Sequence, residues 1–456
     1  MAPKTLLSTV VAIIAIISSL FVYLKPPITT RLSVLGFLRP SSSITNIHGL
    51  IRPEPIPGTL FSEDIHYHTS SGLIFGVAES SPSSRSDWFP PIAAFSSPSK
   101  ITQGKIFIID PTTNTKTDLV LEDFPSAFVT HGIDIYTPPT DPENVYIFAI
   151  NHLPNPSYTS NLTHGTNSNI PAAASQIELF VHTLGTSSAR HLRSIAHPLI
   201  RTPNDIYALN QNEIYVTNDH HYRSGHLRSA EDILTNARWS DVIHVSLTSH
   251  NVVAATASLS ATVALDHIQN PNGFGHGASS SEILLGRAAA GVLEFVRRKT
   301  GDSGEGMELE IVETVQLPMT IDNPTYFHDP YAYETGRDAS GYLLACLAKA
   351  QFFPHAERFP SAVWWVSAGR EVGSACGTDL EDEESEGEKE GKEKGEGQKA
   401  EREMKLIFQD DGHLMSTAST AVIVAIDPRK NDGKKEGWLF VTGPLGQGVV
   451  RLKIDL

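Results

Sequence analysis

From residue 73 to residue 454 the chain keeps repeating one pattern: a short run rich in Val, Ile, Phe and Tyr, closed by Gly, Pro, Asn, Asp or Ser. The runs cover 73–77, 105–109, 145–150, 177–181, 213–216, 242–245, 282–285, 291–296, 308–312, 342–346, 363–366, 422–426, 438–441 and 449–454. Runs of this length and composition, punctuated by turn formers, predict strands joined by hairpins. No long amphipathic helix competes with them, so apolar surface must be buried by stacking sheets. Two runs leave through the same exit, Ile109-Asp110-Pro111 and Ile426-Asp427-Pro428, as repeated sheets would. An all-β propeller fits, because radial repetition buries every sheet and gathers loops around a central channel where several blades can each donate a ligand. A sandwich is the alternative, although this many strands would need two of them.

Other segments fall outside the pattern. Residues 6–24 are an uncharged apolar run close to the roughly 20 residues that span a bilayer, which predicts a signal anchor over 1–30. A Pro-rich connector, 31–60, leads into a catalytic domain over 61–456. Inside that domain, 379–405 holds 12 acidic and 6 basic residues and almost no apolar side chain, so it cannot offset its chain entropy and is expected to be a disordered insertion. Acids outnumber bases even without it, and the net charge of -16 argues against a nucleic-acid partner. The sequon Asn161-Leu162-Thr163, in a polar, loop-like stretch, suits glycosylation in the secretory lumen. With two cysteines, Cys346 in an apolar run and Cys376 beside the acidic tract, no disulfide framework is implied.

The polar residues at the ends of the apolar runs carry the chemistry. Pro203 to Tyr222 contains two Asn-Asp pairs, Asn204-Asp205 and Asn218-Asp219, with adjacent amides and carboxylates that suit a hard, oxygen-seeking cation. The same pairs also make turns. Comparable groups recur as Ser62-Glu63-Asp64-Ile65, Thr130-His131-Gly132-Ile133, Asn151-His152, Asn272-Gly273 and Ile321-Asp322-Asn323-Pro324.

Taken in this order, these motifs resemble those of the serum paraoxonase/arylesterase family, over most of the chain from about Glu63 onward, and the membrane-like N-terminal segment is also one that members retain. The resemblance implies a six-bladed β-propeller with two calcium ions in its central tunnel. By matching position, Glu63, Asn204, Asn272, Asp322 and Asn323 would hold a catalytic ion, while Asp64, Asp205 and the backbone carbonyl of Ile133 would hold a structural one. His131 would be the general base on a water and His152 its assistant, a task suited to imidazole. The implied activity is calcium-dependent hydrolysis of small aryl esters or lactones in the secretory pathway, membrane-anchored or extracellular. Asn218, Asp219 and His220 would then support the ligands by hydrogen bonds.

The sequence also departs from the family. Animal members tie the N-terminal region to the last blade by a disulfide, but no cysteine precedes Cys346, so closure is left to strand pairing through 448–454. The histidine that usually follows the family's free cysteine is Leu347 here, which bears on substrate preference. Residues 80–99 fall where the family has a mobile loop over the site; Trp88 and Phe89 would line a lid there, or the stretch is a disordered linker. The rival functions are a gluconolactonase-like propeller with one metal and a propeller that serves only as a binding scaffold.

Overall fold

The structure is a computed structural model that describes residues 18, 25–124, 126–164, 170–234, 236–301, 304–353, 358–368 and 402–456. Its strands run, in chain order, β1 (Glu54–Pro55), β2 (Ile65–His68), β3 (Leu73–Ala78), β4 (Lys105–Asp110), β5 (Thr115–Asp118), β6 (Val120–Glu122), β7 (Thr130–Tyr136), β8 (Asn144–Pro154), β9 (Ala173–Thr183), β10 (Ser188–Ile195), β11 (Pro203–Asn210), β12 (Glu213–Asn218) and β13 (Ser240–Leu247). They continue as β14 (Leu259–Ile268), β15 (Pro271–His276), β16 (Ile283–Arg287), β17 (Val292–Gly301), β18 (Gly304–Gln316), β19 (Thr320–Phe327), β20 (Gly341–Leu347), β21 (Ser361–Ser367), β22 (Met404–Asp410), β23 (Ala421–Ala425), β24 (Glu436–Val441) and β25 (Val450–Asp455).

These strands form six antiparallel sheets, the blades of a propeller: β2 to β5, β7 to β10 with β6 added in parallel, β11 to β14, β15 to β18, β19 to β22, and β23 to β25 completed by β1. Successive side chains of a strand point to opposite faces, and here both faces are covered by a neighbouring blade. In β3, Phe75 and Val77 pack toward the second blade while Ile74 and Ala78 pack toward the sixth. That is why the legible strands read as continuous apolar runs instead of alternating ones. Six apolar clusters result, one at each blade junction, and together they close the ring. Truncating a buried Leu or Ile in such a seam costs about 2–5 kcal/mol.

Ring closure uses no covalent bond among the described residues. Glu54 pairs with Arg451 and Pro55 with Val450, the Ile56 amide donates to the Val449 carbonyl, and Ile56, Phe440 and Val449 pack against Ile65, Ile74 and Phe107. The residues expected as a connector lie along the propeller. Arg39 donates to the carbonyls of Ala348 and Pro318, His48 pairs with Asp410 at 2.8 Å, and Ile47 bridges to Gln409. Cys346 is buried on β20, and Cys376 lies outside the described residues.

Among the described residues no helix is long and apolar enough to cross a membrane, and the expected anchor, apart from Ser18, lies outside them through residue 24. The acidic stretch 379–405 is likewise outside up to residue 401, while its end, Met404 and Lys405, begins β22. The sequon falls on a helix, Pro156–His164, where a loop was expected. Residues 80–99 form an ordered cover, with short helices at Ser84–Asp87 and Pro90–Ile92 and with Trp88 and Phe89 each only 1% exposed.

Candidate metal centre and histidine pair

Each blade's first strand lines the propeller axis. In four of these inner strands the pairing slips in the same way, with three steps on the inner strand opposing two on its neighbour: Thr130 to Ile133, Pro203 to Ile206, Pro271 to Phe274 and Ile321 to Pro324. A bulge of this kind leaves residues unpaired and re-aims their side chains. The unpaired residues are His131-Gly132, Asn204-Asp205, Asn272-Gly273 and Asp322-Asn323, four of the motifs seen in the sequence. Two glycines make the close approach possible. A Cβ on Gly273 would lie 2.2 Å from Asn323 Oδ1, and one on Gly132 would lie 2.5 Å from Asp205 Oδ1.

Four buried side-chain oxygens at the entries to these inner strands have no hydrogen-bond donor: Glu63 Oε2, Asn204 Oδ1, Asn272 Oδ1 and Asn323 Oδ1. A buried acceptor without a donor is costly and calls for an explanation such as an absent ion. The amides are held with their oxygens free. Asn323 Nδ2 donates to Glu63 Oε1 at 3.1 Å and to Thr420 Oγ1 at 2.9 Å, and the Glu63 carbonyl accepts from Ser419, Thr420 and Thr442. Burial, then Asp322 and Asp64, pushes the Glu63 carboxyl well above its ordinary range, and burial followed by Asp64 and Asp219 does the same to Asp322. Acids raised by desolvation and by one another are stabilised by a shared cation. Two carboxylates and three amides fit a hard cation that takes six to eight oxygens. Among the described residues no group of three or more His, Cys, Asp or Glu is placed to hold a metal, so this donor set depends on its amides.

Asp64 and Asp205 are buried beside this group but are engaged differently. Asp64 Oδ1 accepts from the Ile65 amide at 2.9 Å and Thr420 Oγ1 at 2.8 Å; Oδ2 accepts from the Ile133 amide at 3.0 Å and meets His66 Nε2 at 3.1 Å. Asp205 accepts from the amides of Ile206, 2.8 Å, and Phe274, 2.6 Å, and burial with Asp64 and Glu63 raises its carboxyl well above the usual range. Asp134 meets His66 Nδ1 at 3.4 Å and His276 Nε2 at 2.8 Å and accepts from the Ala208 amide at 2.7 Å.

His131 and His152 are brought together from β7 and β8, with His131 Nδ1 3.1 Å from His152 Nε2 and His152 Nδ1 2.8 Å from Ser175 Oγ. The other nitrogen of His131 is left for the Pro203 carbonyl. Burial, with the neighbouring imidazole and Arg85 adding to it, holds His131 well below its usual value; burial and Arg85 lower His152 to about 3. Both rings are therefore neutral and can accept a proton. Phe89 stands edge-on to both, at 5.2 Å and 6.0 Å between centroids, and Trp88 Nε1 donates to the His152 carbonyl at 2.7 Å. A cavity of about 180 Å³ opens beside His152, walled by Pro90, Phe95 and Tyr158 with Asp219 and Arg228 at its polar side.

Asn218 is spent on structure: its amide accepts from the Arg201 and Thr202 backbone and donates to Leu199 and Asp241. Asp219 pairs with His220 at 3.0 Å and sits near Arg228. Sequence reasoning missed Ser419, Thr420 and Thr442, the sixth blade's contribution, although Ser416 to Thr420 is a polar run directly before a strand, as the other motifs are. It also missed Arg85, whose guanidinium lies 3.8 Å over the Phe89 ring, and Glu79, 3.5 Å from it. A lone Arg in a serine-rich stretch gives no signal.

An arylesterase family model matches residues 83–270. Serum paraoxonase/arylesterase 1 of Homo sapiens is 33% identical over 175 residues, covering 36% of this chain and 41% of its own length. The Mus musculus protein of the same name is 33% identical over 130 residues, 28% of this chain and 30% of its own, and serum paraoxonase/arylesterase 2 of Homo sapiens is 24% identical over 198 residues, 43% and 46%. Each match spans less than half of the relative's length. Residues 83–270, which contain the histidine pair and the Asn204-Asp205 bulge, thus form an arylesterase-family segment, and the resemblance read from the motifs is shown there.

Proposed function

We propose that the chain is a calcium-dependent hydrolase of aryl esters or lactones. The observation that carries this reading is the set of four unspent, buried oxygens together with two buried histidines that meet at 3.1 Å. Glu63, Asn204, Asn272, Asp322 and Asn323 would hold the ion. When bound, calcium supplies a Lewis acid that polarises the scissile carbonyl. The His131 nitrogen that faces the Pro203 carbonyl carries the ring hydrogen. When water replaces that carbonyl the hydrogen sits on Nδ1, donated to His152 Nε2, while His152 donates from Nδ1 to Ser175 Oγ. The bare His131 nitrogen then takes the proton of the attacking water, and His152 steadies the charge that develops on the ring. Ser175 fixes the orientation of His152. Trp88 and Phe89 keep bulk water off the pair, which strengthens these interactions. The apolar wall of Pro90, Phe95 and Tyr158 suits an aryl or alkyl portion of the substrate.

Residues 6–24 are proposed to anchor the propeller to a membrane of the secretory pathway, and Asn161 to carry a glycan there; the anchor lies largely outside the described residues. The test of the catalytic reading is hydrolysis of an aryl ester such as phenyl acetate, and of a simple lactone, by the full chain. Activity should disappear with a calcium chelator and return with calcium but not magnesium. Hydrolysis that persists in chelator overturns the proposal, and a calcium-loaded chain without hydrolysis favours the scaffold.

A further inference from the structure

We infer that the His66 imidazole takes the place of the second cation, so that this chain holds a single calcium. The inference rests on the calcium reading above and concerns the residues expected to hold a structural ion: Asp64, Asp205 and the Ile133 carbonyl. A carboxylate offers about four lone-pair sites. All four of Asp64's are used, by the Ile65 amide, Thr420 Oγ1, the Ile133 amide and His66 Nε2, at 2.8 to 3.1 Å. The Ile133 backbone carbonyl faces the same imidazole. One ring therefore faces two of the three expected ligands; what is left is Asp205 and the second lone pair of the Ile133 carbonyl. One carboxylate and one carbonyl lone pair are far from the six to eight oxygens that calcium takes.

The ring's other side supports the same placement. His66 Nδ1 points at Asp134, 3.4 Å away, so both ring nitrogens face carboxylates. Asp134 is 1% exposed and is also met by His276 Nε2 at 2.8 Å, whose ring stacks on Tyr207 at 4.3 Å between centroids. Two acids, Asp64 and Asp134, are thus bridged by a protein side chain, and one of them is a residue expected to hold the second ion. At the first site the contrast is complete: four buried oxygens there lack any donor.

The full chain, equilibrated with excess calcium and desalted, is to be analysed for metal by mass spectrometry. One ion per chain is expected. Two ions overturn the inference and leave the catalytic reading standing; none overturns that reading and the inference with it. In His66→Ala a second, weaker calcium transition should appear in a titration, and calcium beyond the first equivalent should raise Tm in the variant but not in the wild type. A folded variant that binds one ion and gains no Tm from further calcium shows that the ring was not holding the second cation's place, and overturns the inference. The wild-type stoichiometry decides the question even where the variant does not fold.

Discussion

Glu63 and Asp64 are adjacent in the chain, enter the same inner strand and are each 1% exposed, yet they belong to opposite kinds of site. Glu63 keeps Oε2 without a donor and is surrounded by amide oxygens in the same condition; Asp64 has every lone pair occupied. Burial is common to both, so burial of an acid does not identify a metal ligand. What separates them is the unspent lone pair on Glu63 in company with three unspent amide oxygens, because a buried acceptor costs about 1–3 kcal/mol when nothing pairs with it. The protein leaves that cost in place at one position and removes it with hydrogen bonds at the next.

Several substitutions can break or sharpen this contrast. The largest effect is expected from His131→Gln, which touches neither acid group: turnover should fall roughly 10²–10⁴-fold, with calcium content unchanged by metal analysis. Loss of the ion in that variant would mean that the pair and the oxygen set are not separable. Glu63→Gln keeps the shape of the side chain and removes its charge. Calcium affinity should drop, and kcat/KM at saturating calcium should fall by about 10²–10³. An unaltered calcium titration would erase the distinction between Glu63 and its neighbour.

Asp134→Asn strikes the other group, removing the buried carboxylate that His66 and His276 both meet. Stability should fall by about 3 kcal/mol in denaturant unfolding, with the calcium titration unmoved; weaker calcium binding would join the two groups into one. The smallest effect concerns pH. The neutral histidines are the competent form and their values are depressed by burial, so at saturating calcium the acid limb of kcat/KM should lie below pH 6.5. Glu63 and Asp322 are raised when no ion is bound, so protons and calcium compete for them. Lowering calcium should move the limb upward, and rate profiles at two calcium concentrations check it.

Legibility in the sequence followed the same physical divide. The strands of each blade that are covered on both faces, such as β3, β8, β12 and β20, are apolar throughout and were read correctly. The inner strands β2, β7, β11, β15 and β19 are absent from the strands the pattern predicts, which puts their polar motifs at strand ends, since PNDIYALN and PNGFGH carry Pro, Asn and Gly where a strand pattern would place Val or Ile. Those polar residues sit in a strand only because the bulge turns them toward the axis, and a bulge leaves no mark in composition. The motifs that name His131, Asn204 and Asn323 were visible because several residues at fixed places must act together. His66 was not: one histidine between an isoleucine and a tyrosine carries no signal, and Asp134 reaches it only through the fold. Arg85 was hidden in the same way, whereas Thr420 lies in a polar run before a strand, as the other motifs do.

The clasp between β1 and β25 has a practical side. It consists of the pairings Glu54 with Arg451 and Pro55 with Val450 over an apolar seam, with no cysteine before Cys346 to reinforce it. A join of this kind forms and releases without an oxidant. The propeller should therefore be obtainable from a reducing bacterial cytosol, and it should refold from denaturant equally well with and without a thiol reductant.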